Sequence, residues 1–208
     1  MTQTGTSGKG DPMNALTDDN LGSAAQRDRR QRILDATLAL ASKGGFDAVQ
    51  MRAVAERADV ALGTLYRYFP SKIHLLVSAL AQEFERAQNK LDRTTIPGDT
   101  PYDRVLFVLG RTTRAMQRDP NLTEAVTRAF MFADASAAVE VHTVGMRMEH
   151  MFVKAMHGAD HAASEEDKAI ARVIGDVWLA SLVAWVTGRA SASDVAREME
   201  IAVRLLLR

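Results

Sequence analysis

Apolar residues recur along this chain with a helical period. In successive segments from Ile33 to Leu206 they fall at i, i+3, i+4 and i+7, the spacing of one buried helix face. Glycine and proline interrupt the pattern at Gly44-Gly45, Pro70, Pro97-Gly98, Pro120, Gly158 and Gly188. The pattern therefore predicts an all-α fold, with helices joined by short connections.

The stretch 50–72 predicts two short helices joined by a tight turn. Each has an apolar stripe, made by Met51, Val54, Ala55 and Ala58 in the first and by Leu62, Leu65, Tyr66 and Phe69 in the second. Only three residues, 59–61, lie between them, which suits a helix-turn-helix. Pro70 stops the second helix, and Ser71 can cap a longer helix that begins at Lys72.

The outward side of the second helix has the composition of a DNA-contacting surface. We expect Gly63, Thr64, Arg67 and Tyr68 to point away from the core, with the Tyr66 ring at the edge. No carboxylate lies between residues 60 and 82. Hydrogen-bond donors, a guanidinium and a glycine that permits close approach suit a phosphate-lined major groove. The alternative is a solvated face on a small helical domain.

These residues resemble a known signature. The segment GTLYRYFPSK, with the helix before it, is similar to the DNA-binding motif of the TetR family of bacterial transcriptional regulators, and the resemblance runs from about Arg30 to Leu80. It implies a three-helix DNA-binding domain with a helix-turn-helix, a larger helical domain for ligand binding and dimerisation, and a homodimeric repressor of a palindromic operator. Three positions depart from the family pattern: Asp59 and Ala61 in the turn, and Gln50. Ala61 cannot cap the second helix, which costs about 0.5–2 kcal/mol.

The residues expected to contact DNA extend to both sides of the turn. Four arginines between residues 27 and 32 open the preceding predicted helix, where they oppose the helix dipole. We therefore favour phosphate contacts over the alternative of solubility and pairing with Asp28. Lys72 is interpreted as a phosphate ligand, the alternative being an ordinary surface lysine. The predicted DNA-binding set is Arg27, Arg30, Gln50, Arg52, Ala61, Leu62, Gly63, Thr64, Tyr66, Arg67, Tyr68 and Lys72.

The charge distribution follows the predicted domains. The chain has no net charge, but residues 26–93 hold 12 Lys and Arg against 8 Asp and Glu, a net +4 where phosphate binding requires it. We assign residues 1–24 to a flexible N-terminal tail and residues 25–70 to the DNA-binding domain. Residues 71–93 form a connecting helix, and residues 94–208 form the ligand-binding and dimerisation domain.

The larger domain is rich in methionine and aromatic residues. They suit a cavity for a large hydrophobic ligand, although at helical spacing they equally describe a packed core. The family resemblance favours the cavity, and a narrower resemblance, to members that repress cholesterol catabolism, implies a steroid acid as its coenzyme A thioester. The predicted ligand-binding residues are Phe107, Thr112, Met116, Asn121, Phe130, Met131, Met148, Met151, Phe152, Trp178 and Leu182, with Arg172 as a further candidate at the mouth.

The last two predicted helices are expected to form the dimer interface. The segment that opens at Ser164 is apolar on most sides, which indicates burial on most sides. Together with the helix that Ser191 caps, it would pack on its twin as a four-helix bundle. The alternative is burial of both helices within one chain.

Other function classes leave little trace in the sequence. No GxSxG, Walker or GxGxxG motif occurs, so we expect neither an enzyme nor a cofactor. The absence of cysteine suits a reducing cytoplasm, and the longest apolar run, Val177–Val186, is too short to span a membrane. Two alternatives stay open: a ligand-independent DNA-binding or architectural protein, and a small helical enzyme or lipid carrier that uses the cavity alone.

No metal site is expected. His157 and His161 are four residues apart, but Gly158 interrupts the helix that would bring them to one face. His142 and His150 are interpreted as surface residues of an amphipathic helix rather than as ligands.

Overall fold

The computed structural model describes residues 18–158 and 161–207, and every regular element in this part of the chain is helical. The helices are α1 (Asp18–Ala48), α2 (Met51–Arg57), α3 (Leu62–Tyr68), α4 (Lys72–Asp92), α5 (Pro101–Gln117), α6 (Pro120–Met131), α7 (Ala138–His157), α8 (Glu165–Val186) and α9 (Ala192–Leu206). A single 3-10 turn, Ala135–Ala137, leads into α7. The predicted all-α fold is confirmed.

The first helix begins earlier than the sequence predicts. Residues 18–24, which we assigned to a flexible tail, are helical, and the rest of that predicted tail, residues 1–17, lies outside the described residues. Arg27 and Arg30 consequently lie well inside α1 instead of at its start. The two arginines therefore do not oppose the helix dipole, and that reason for predicting phosphate contact no longer applies.

The predicted break at Gly44-Gly45 is a kink, after which one more turn runs to Ala48. Gly45 has a φ of 67°, in the left-handed region that glycine adopts without strain. A Cβ added to Gly45 would lie 2.7 Å from Oε2 of Glu124 in α6. Glycine is therefore favoured here by the backbone conformation, and a larger residue would also displace the Glu124 carboxylate.

The small N-terminal unit is built around the inner faces of α1, α2 and α3. Its buried centre consists of Ile33, Leu34, Val49, Val54, Leu65 and Phe69. The turn between α2 and α3 places Asp59 at a φ of 53°, the left-handed conformation that aspartate tolerates. Arg32 donates from Nη1 to the Ala58 carbonyl at 2.8 Å and so satisfies the end of α2.

The connecting helix α4 begins where the sequence predicts and is anchored at that end. Ser71 Oγ caps it by accepting from the His74 backbone N–H at 3.4 Å. His74 Nε2 lies 3.0 Å from the Ser136 carbonyl, which can only accept, so Nε2 is the donor. Nδ1 of the same ring then accepts from Ser71 Oγ at 2.9 Å. The start of α4 is thus tied to the turn before α7.

The larger unit places α5 to α9 around the remaining length of α4. Reciprocal capping boxes begin α5, α8 and α9, through Thr100, Ser164 and Ser191 respectively. Among the described helices, α8 is long and apolar enough by length and composition to cross a bilayer, and 33% of its most apolar window is buried. The apolar run expected to be too short is therefore part of a longer apolar helix.

Candidate nucleic-acid interface and ligand cavities

Helix α3 is fixed by its inner face and open on its outer face. Leu65 is fully buried, whereas Gly63 and Arg67 are exposed and Tyr66 keeps 46% of its surface exposed. Among the described residues, no atom would come within 4 Å of a Cβ added to Gly63. Nothing inside the described chain therefore requires glycine at this position, which is open to a partner.

The two tyrosines of α3 exchange the places that we predicted for them. Tyr66, expected at the edge, is exposed, and Tyr68, expected to point outward, is half-buried against the core. Tyr68 follows Leu65 by three positions and therefore shares its inner face; its ring lies 6.3 Å from that of Phe69. Leu62 is also half-buried, so these two members of the predicted DNA-binding set contribute partly to packing.

The two helix starts near this face lack side-chain caps. Gln50 and Ala61 occupy the N-cap positions of α2 and α3 in extended conformations, and neither side chain accepts a backbone N–H. The missing cap at Ala61 was predicted from the sequence. Both residues are exposed beside Arg52, which is exposed as well.

The basic residues that flank α3 differ in how firmly the chain holds them. Arg27 is exposed, and the Arg30 guanidinium lies 5.6 Å from the centre of the Phe69 ring. The Lys72 ammonium lies 3.8 Å from the centre of the Phe46 ring, and burial lowers the pKa of Lys72. Phosphate contact by Lys72 stays a prediction.

Two adjoining cavities open in the larger unit, each with a volume of about 270 Å³. We call the first the apolar cavity, because α4, α6, α7 and α8 enclose it mainly with hydrophobic side chains. The second lies between α4, α5 and α6. Leu80, Phe84 and Met116 line both cavities and so form the wall between them.

The second cavity carries an excess of positive charge, and we call it the cationic cavity. Four basic residues line it, Arg86, Lys90, Arg111 and Arg118, against two acidic residues, Glu83 and Asp119. Arg86 is already paired, at 2.6 Å with Asp35 and at 2.7 Å with Glu83. The other three basic side chains give the cavity a positive charge that suits an anionic group of a ligand.

The predicted ligand-binding residues divide between these cavities. Met116, Phe130, Met148, Trp178 and Leu182 line the apolar cavity, as does Arg172, and Thr112, Met116 and Met151 line the cationic cavity. Trp178 does not present its polar atom to the cavity. Its Nε1 instead donates to Thr113 Oγ1 at 2.9 Å within the core, so it offers only its ring.

Four predicted ligand-binding residues line neither cavity. Asn121 Nδ2 donates to the Ser42 carbonyl at 3.1 Å, on the side of α6 that faces α1. Met131 is 50% exposed at the end of α6, and Phe107 packs at the margin of the core. Phe152 is buried behind Trp178, with the two ring centres 6.5 Å apart. Bulk and helical spacing alone do not distinguish these positions from the lining.

Sequence reasoning missed the cations and the shared wall. Leu80 and Phe84 follow the general helical spacing of apolar residues, which was interpreted only as packing. Arg111 and Arg118 are seven residues apart, two helical turns, and hence on one side of the α5 end. That spacing was the available signal for a basic site.

Helix α6 joins the cavities to the DNA-binding unit. One side lines the apolar cavity with Thr127 and Phe130, and the other side contacts the α1 kink. Glu124 Oε2 accepts from the Phe46 backbone N–H at 2.8 Å. The Arg128 guanidinium lies 4.4 Å from the centre of the Phe46 ring. Helix α6 is therefore in direct contact with both the apolar cavity and α1.

The expectation about the histidines of the α7–α8 connection is wrong. His157 and His161 stack with ring centres 4.1 Å apart, and both point Nε2 at one carboxylate, that of Asp167. The two rings lie together although the helix ends at His157, whereas a continuous helix was the only route considered. Their nitrogens and the Asp167 carboxylate lie within 4.8 Å of one another.

Comparison with known proteins identifies the family. A model of "Bacterial regulatory proteins, tetR family" matches residues 33–79, and a "Tetracyclin repressor-like, C-terminal domain" model matches residues 98–206. The chain belongs to the TetR family. The HTH-type transcriptional repressor KstR of Mycolicibacterium smegmatis is 64% identical over 192 residues, 92% of this chain and 93% of that protein. KstR of Rhodococcus jostii is also 64% identical, over 92% of this chain and 89% of its own length.

Solved structures of TetR-family proteins share the fold. A TetR transcriptional regulator from Rhodococcus sp. RHA1 is 33% identical and has a TM-score of 0.81, over 88% of this chain and 97% of that one. Thermus thermophilus FadR, a TetR-family repressor in complex with lauroyl-CoA, is 21% identical with a TM-score of 0.66, over 86% and 93% of the two chains. The predicted family is confirmed, and this TetR-family protein is a DNA-binding transcriptional repressor, not an enzyme.

Proposed function

We propose that this TetR-family repressor acts as a homodimer on a palindromic operator and is released by a steroid acyl-CoA. Its target genes would be those of cholesterol and lipid catabolism. The observation that carries the proposal is the pair of adjoining cavities, one apolar and one cationic, which share a wall of Leu80, Phe84 and Met116.

The two cavities match the two halves of an acyl-CoA. Each has a volume of about 270 Å³, and the pair together falls within the usual range of ligand sites, roughly 300–1,000 Å³. A rigid hydrocarbon fits between the Phe84 and Trp178 rings and the adaptable Met148 side chain. Lys90, Arg111 and Arg118 can neutralise the phosphates of the coenzyme A part. Movement of the Met116 side chain would join the cavities into one channel.

The similarity to other proteins supports the same class of ligand. FadR of Thermus thermophilus, which shares the fold, is in complex with lauroyl-CoA. The 64% identity to KstR repressors leads us to prefer a steroid acid over a fatty acid as the acyl group.

The proposed dimer interface is the apolar surface that α8 and α9 leave uncovered. Val173, Ile201 and Leu205 are exposed in the single chain, with Leu205 keeping 58% of its surface. Trp185 and Val183 are half-buried on the same helices. An apolar patch of this kind needs a partner surface, and a second copy related by a twofold axis supplies it. This use of α8 also accounts for its membrane-like length and composition.

Operator binding follows from the twofold axis. Each subunit would place the outer face of α3 in the major groove, with the two recognition helices about 34–36 Å, or a multiple of that distance, apart. The effector would lower operator affinity by moving α4 and α6, both of which line the cavities and contact α1. It can do so only by binding the two conformations with different affinity.

The test compares operator affinity without ligand and with each of three compounds: a steroid acyl-CoA, lauroyl-CoA and coenzyme A. A genomic fragment that the protein protects is titrated without ligand, with a steroid acyl-CoA and with lauroyl-CoA at the same concentration. We expect release by the steroid thioester, with coenzyme A alone as the inactive control. If lauroyl-CoA releases the operator and the steroid acyl-CoA does not, a steroid effector is excluded. Equal operator affinity under all conditions would exclude any acyl-CoA effector.

A further inference from the structure

The α7–α8 connection brings together three side chains that neither DNA binding nor effector binding uses. His157 ends α7, His161 lies in the connection and Asp167 lies in the first turn of α8. His157 Nε2 is 2.6 Å from Asp167 Oδ1, and His161 Nε2 is 3.2 Å from Oδ2. All the ligating atoms lie within 4.8 Å of one another. We propose that His157, His161 and Asp167 form a binding site for a first-row divalent transition-metal ion, with zinc the best match.

The spacing fits zinc after small side-chain rotations. Zinc binds imidazole nitrogen and carboxylate oxygen at about 2.0–2.2 Å, so the ligand atoms of a tetrahedral site are roughly 3.3–3.5 Å apart. The three groups are already close to that separation. Both imidazoles are partly exposed, at 34% and 40% of the side-chain surface, and can turn without moving the backbone.

The carboxylate is prepared as an anionic ligand. Asp167 is buried, and its Oδ2 accepts from Ser164 N–H at 2.9 Å and from Ser164 Oγ at 2.7 Å. These capping hydrogen bonds, followed by those from the two histidines, hold the pKa of Asp167 well below its usual range. The carboxylate is therefore ionised at neutral pH. Ser164 also fixes its orientation from outside the metal shell, as such partners do in metal sites.

The basic groups nearby are engaged elsewhere and do not neutralise this carboxylate. Arg104 donates to the Ala155 and Met156 carbonyls at the end of α7, at 2.8 and 2.7 Å. Lys154 pairs with Asp92, and Lys168 pairs with Glu165. Two imidazoles and one carboxylate favour zinc, cobalt, nickel or copper over magnesium and calcium, which prefer oxygen ligands. Three protein ligands would leave one coordination position open.

The test is metal binding by the untagged, full-length protein after treatment with a chelator. Titration calorimetry with zinc chloride should give one ion per chain. In the double variant His157→Gln/His161→Gln the dissociation constant should rise at least roughly a hundredfold, because two of the three ligands are lost. Glutamine still offers an N–H donor to Asp167, so the fold is kept, and circular dichroism of the metal-free variant checks this.

The matched control changes the two other histidines of α7, which are exposed and outside the cluster. His142→Gln/His150→Gln should bind zinc with the affinity of the unaltered chain. Cobalt provides a second readout, because its visible absorption reports four-coordinate geometry, and this signal should disappear only in the 157/161 variant. The proposal is overturned if zinc does not saturate the unaltered protein, or if the 157/161 variant binds it with equal affinity.

Discussion

The recognition helix and the cavities differ in how the chain forms them. The outer face of α3 comes from consecutive residues, 61–68, and it is open because only the other face packs on α1 and α2. The cavity walls come from five helices and from residues as far apart as Leu80 and Leu182, and several of them, including Phe84 and Trp178, also belong to the core. Changes on α3 should therefore alter binding without altering folding. Changes in the apolar cavity should alter both.

Trp178→Ala should have the largest effect of these substitutions on stability. A small effect would contradict the contrast between the apolar cavity and α3. Trp178 is buried, packs edge-on against Phe84 with ring centres 6.0 Å apart, and donates to Thr113. Loss of a buried tryptophan costs about 3–5 kcal/mol. Urea unfolding at fixed protein concentration should show that loss in the free energy of unfolding. A change below about 1 kcal/mol would mean that the cavity wall is not part of the core.

Arg111→Ala tests whether a cavity residue can alter ligand binding without altering stability. Arg111 lines the cationic cavity but is exposed and outside the core. A charge-assisted hydrogen bond contributes about 1.5–3 kcal/mol, so acyl-CoA affinity should fall at least roughly tenfold with the unfolding free energy unchanged. Calorimetric titration with the effector measures this. Arg114→Ala, an exposed arginine of the same helix that does not line the cavity, is the control. Equal affinities in the two variants would rule out the cationic cavity as the coenzyme A site.

Gly63→Ala separates folding from DNA binding on α3. Alanine favours a helix over glycine by up to about 1 kcal/mol, and the added Cβ meets nothing among the described residues, so stability should be unchanged or higher. Operator affinity should fall roughly tenfold or more, because the Cβ enters the groove. Gly145→Ala on α7, where an added Cβ is equally unobstructed, should keep operator affinity. A loss of stability in Gly63→Ala would contradict the open face.

Glu124→Ala tests whether the two regions communicate through α6. Removing the acceptor of the Phe46 N–H should reduce the ratio of operator affinities without and with effector by several-fold, about 1 kcal/mol of coupling. Fluorescence anisotropy with a labelled operator measures both affinities. Glu165→Ala, an exposed acid remote from this junction, is the control. An unchanged ratio would show that the Glu124–Phe46 hydrogen bond does not carry the coupling.

Local chemistry made the small unit predictable from sequence. The Ser71 cap and the break at Gly44-Gly45 each depend on residues adjacent in the chain, and the structure contains both. The exchange between Tyr66 and Tyr68 shows the limit of this reasoning. Tyr66 belongs to the predicted stripe and Tyr68 does not, yet the direction of approach of the rest of the unit leaves Tyr66 exposed and covers part of Tyr68.

In the larger unit, the features that the sequence did not predict depend on packing between helices that are distant in the chain. Asn121 and Phe130 are both on α6, yet one faces α1 and the other faces the apolar cavity. That choice depends on the helices on either side, not on the α6 sequence. The convergence of His157 and His161 on Asp167 likewise joins the end of α7 to the start of α8, and no pattern within either helix predicts it. The dimer interface and the effector stay predictions for the same reason.

The most direct test of the account is the distance between the two DNA-binding units in the dimer. The chain has no cysteine, so Glu56→Cys, an exposed position on α2, accepts a single spin label in each subunit. Pulsed electron spin resonance should give one narrow distance distribution in the operator complex and a different mean distance with saturating steroid acyl-CoA. The absence of an intersubunit distance, or the same distribution with and without the effector, would contradict the account.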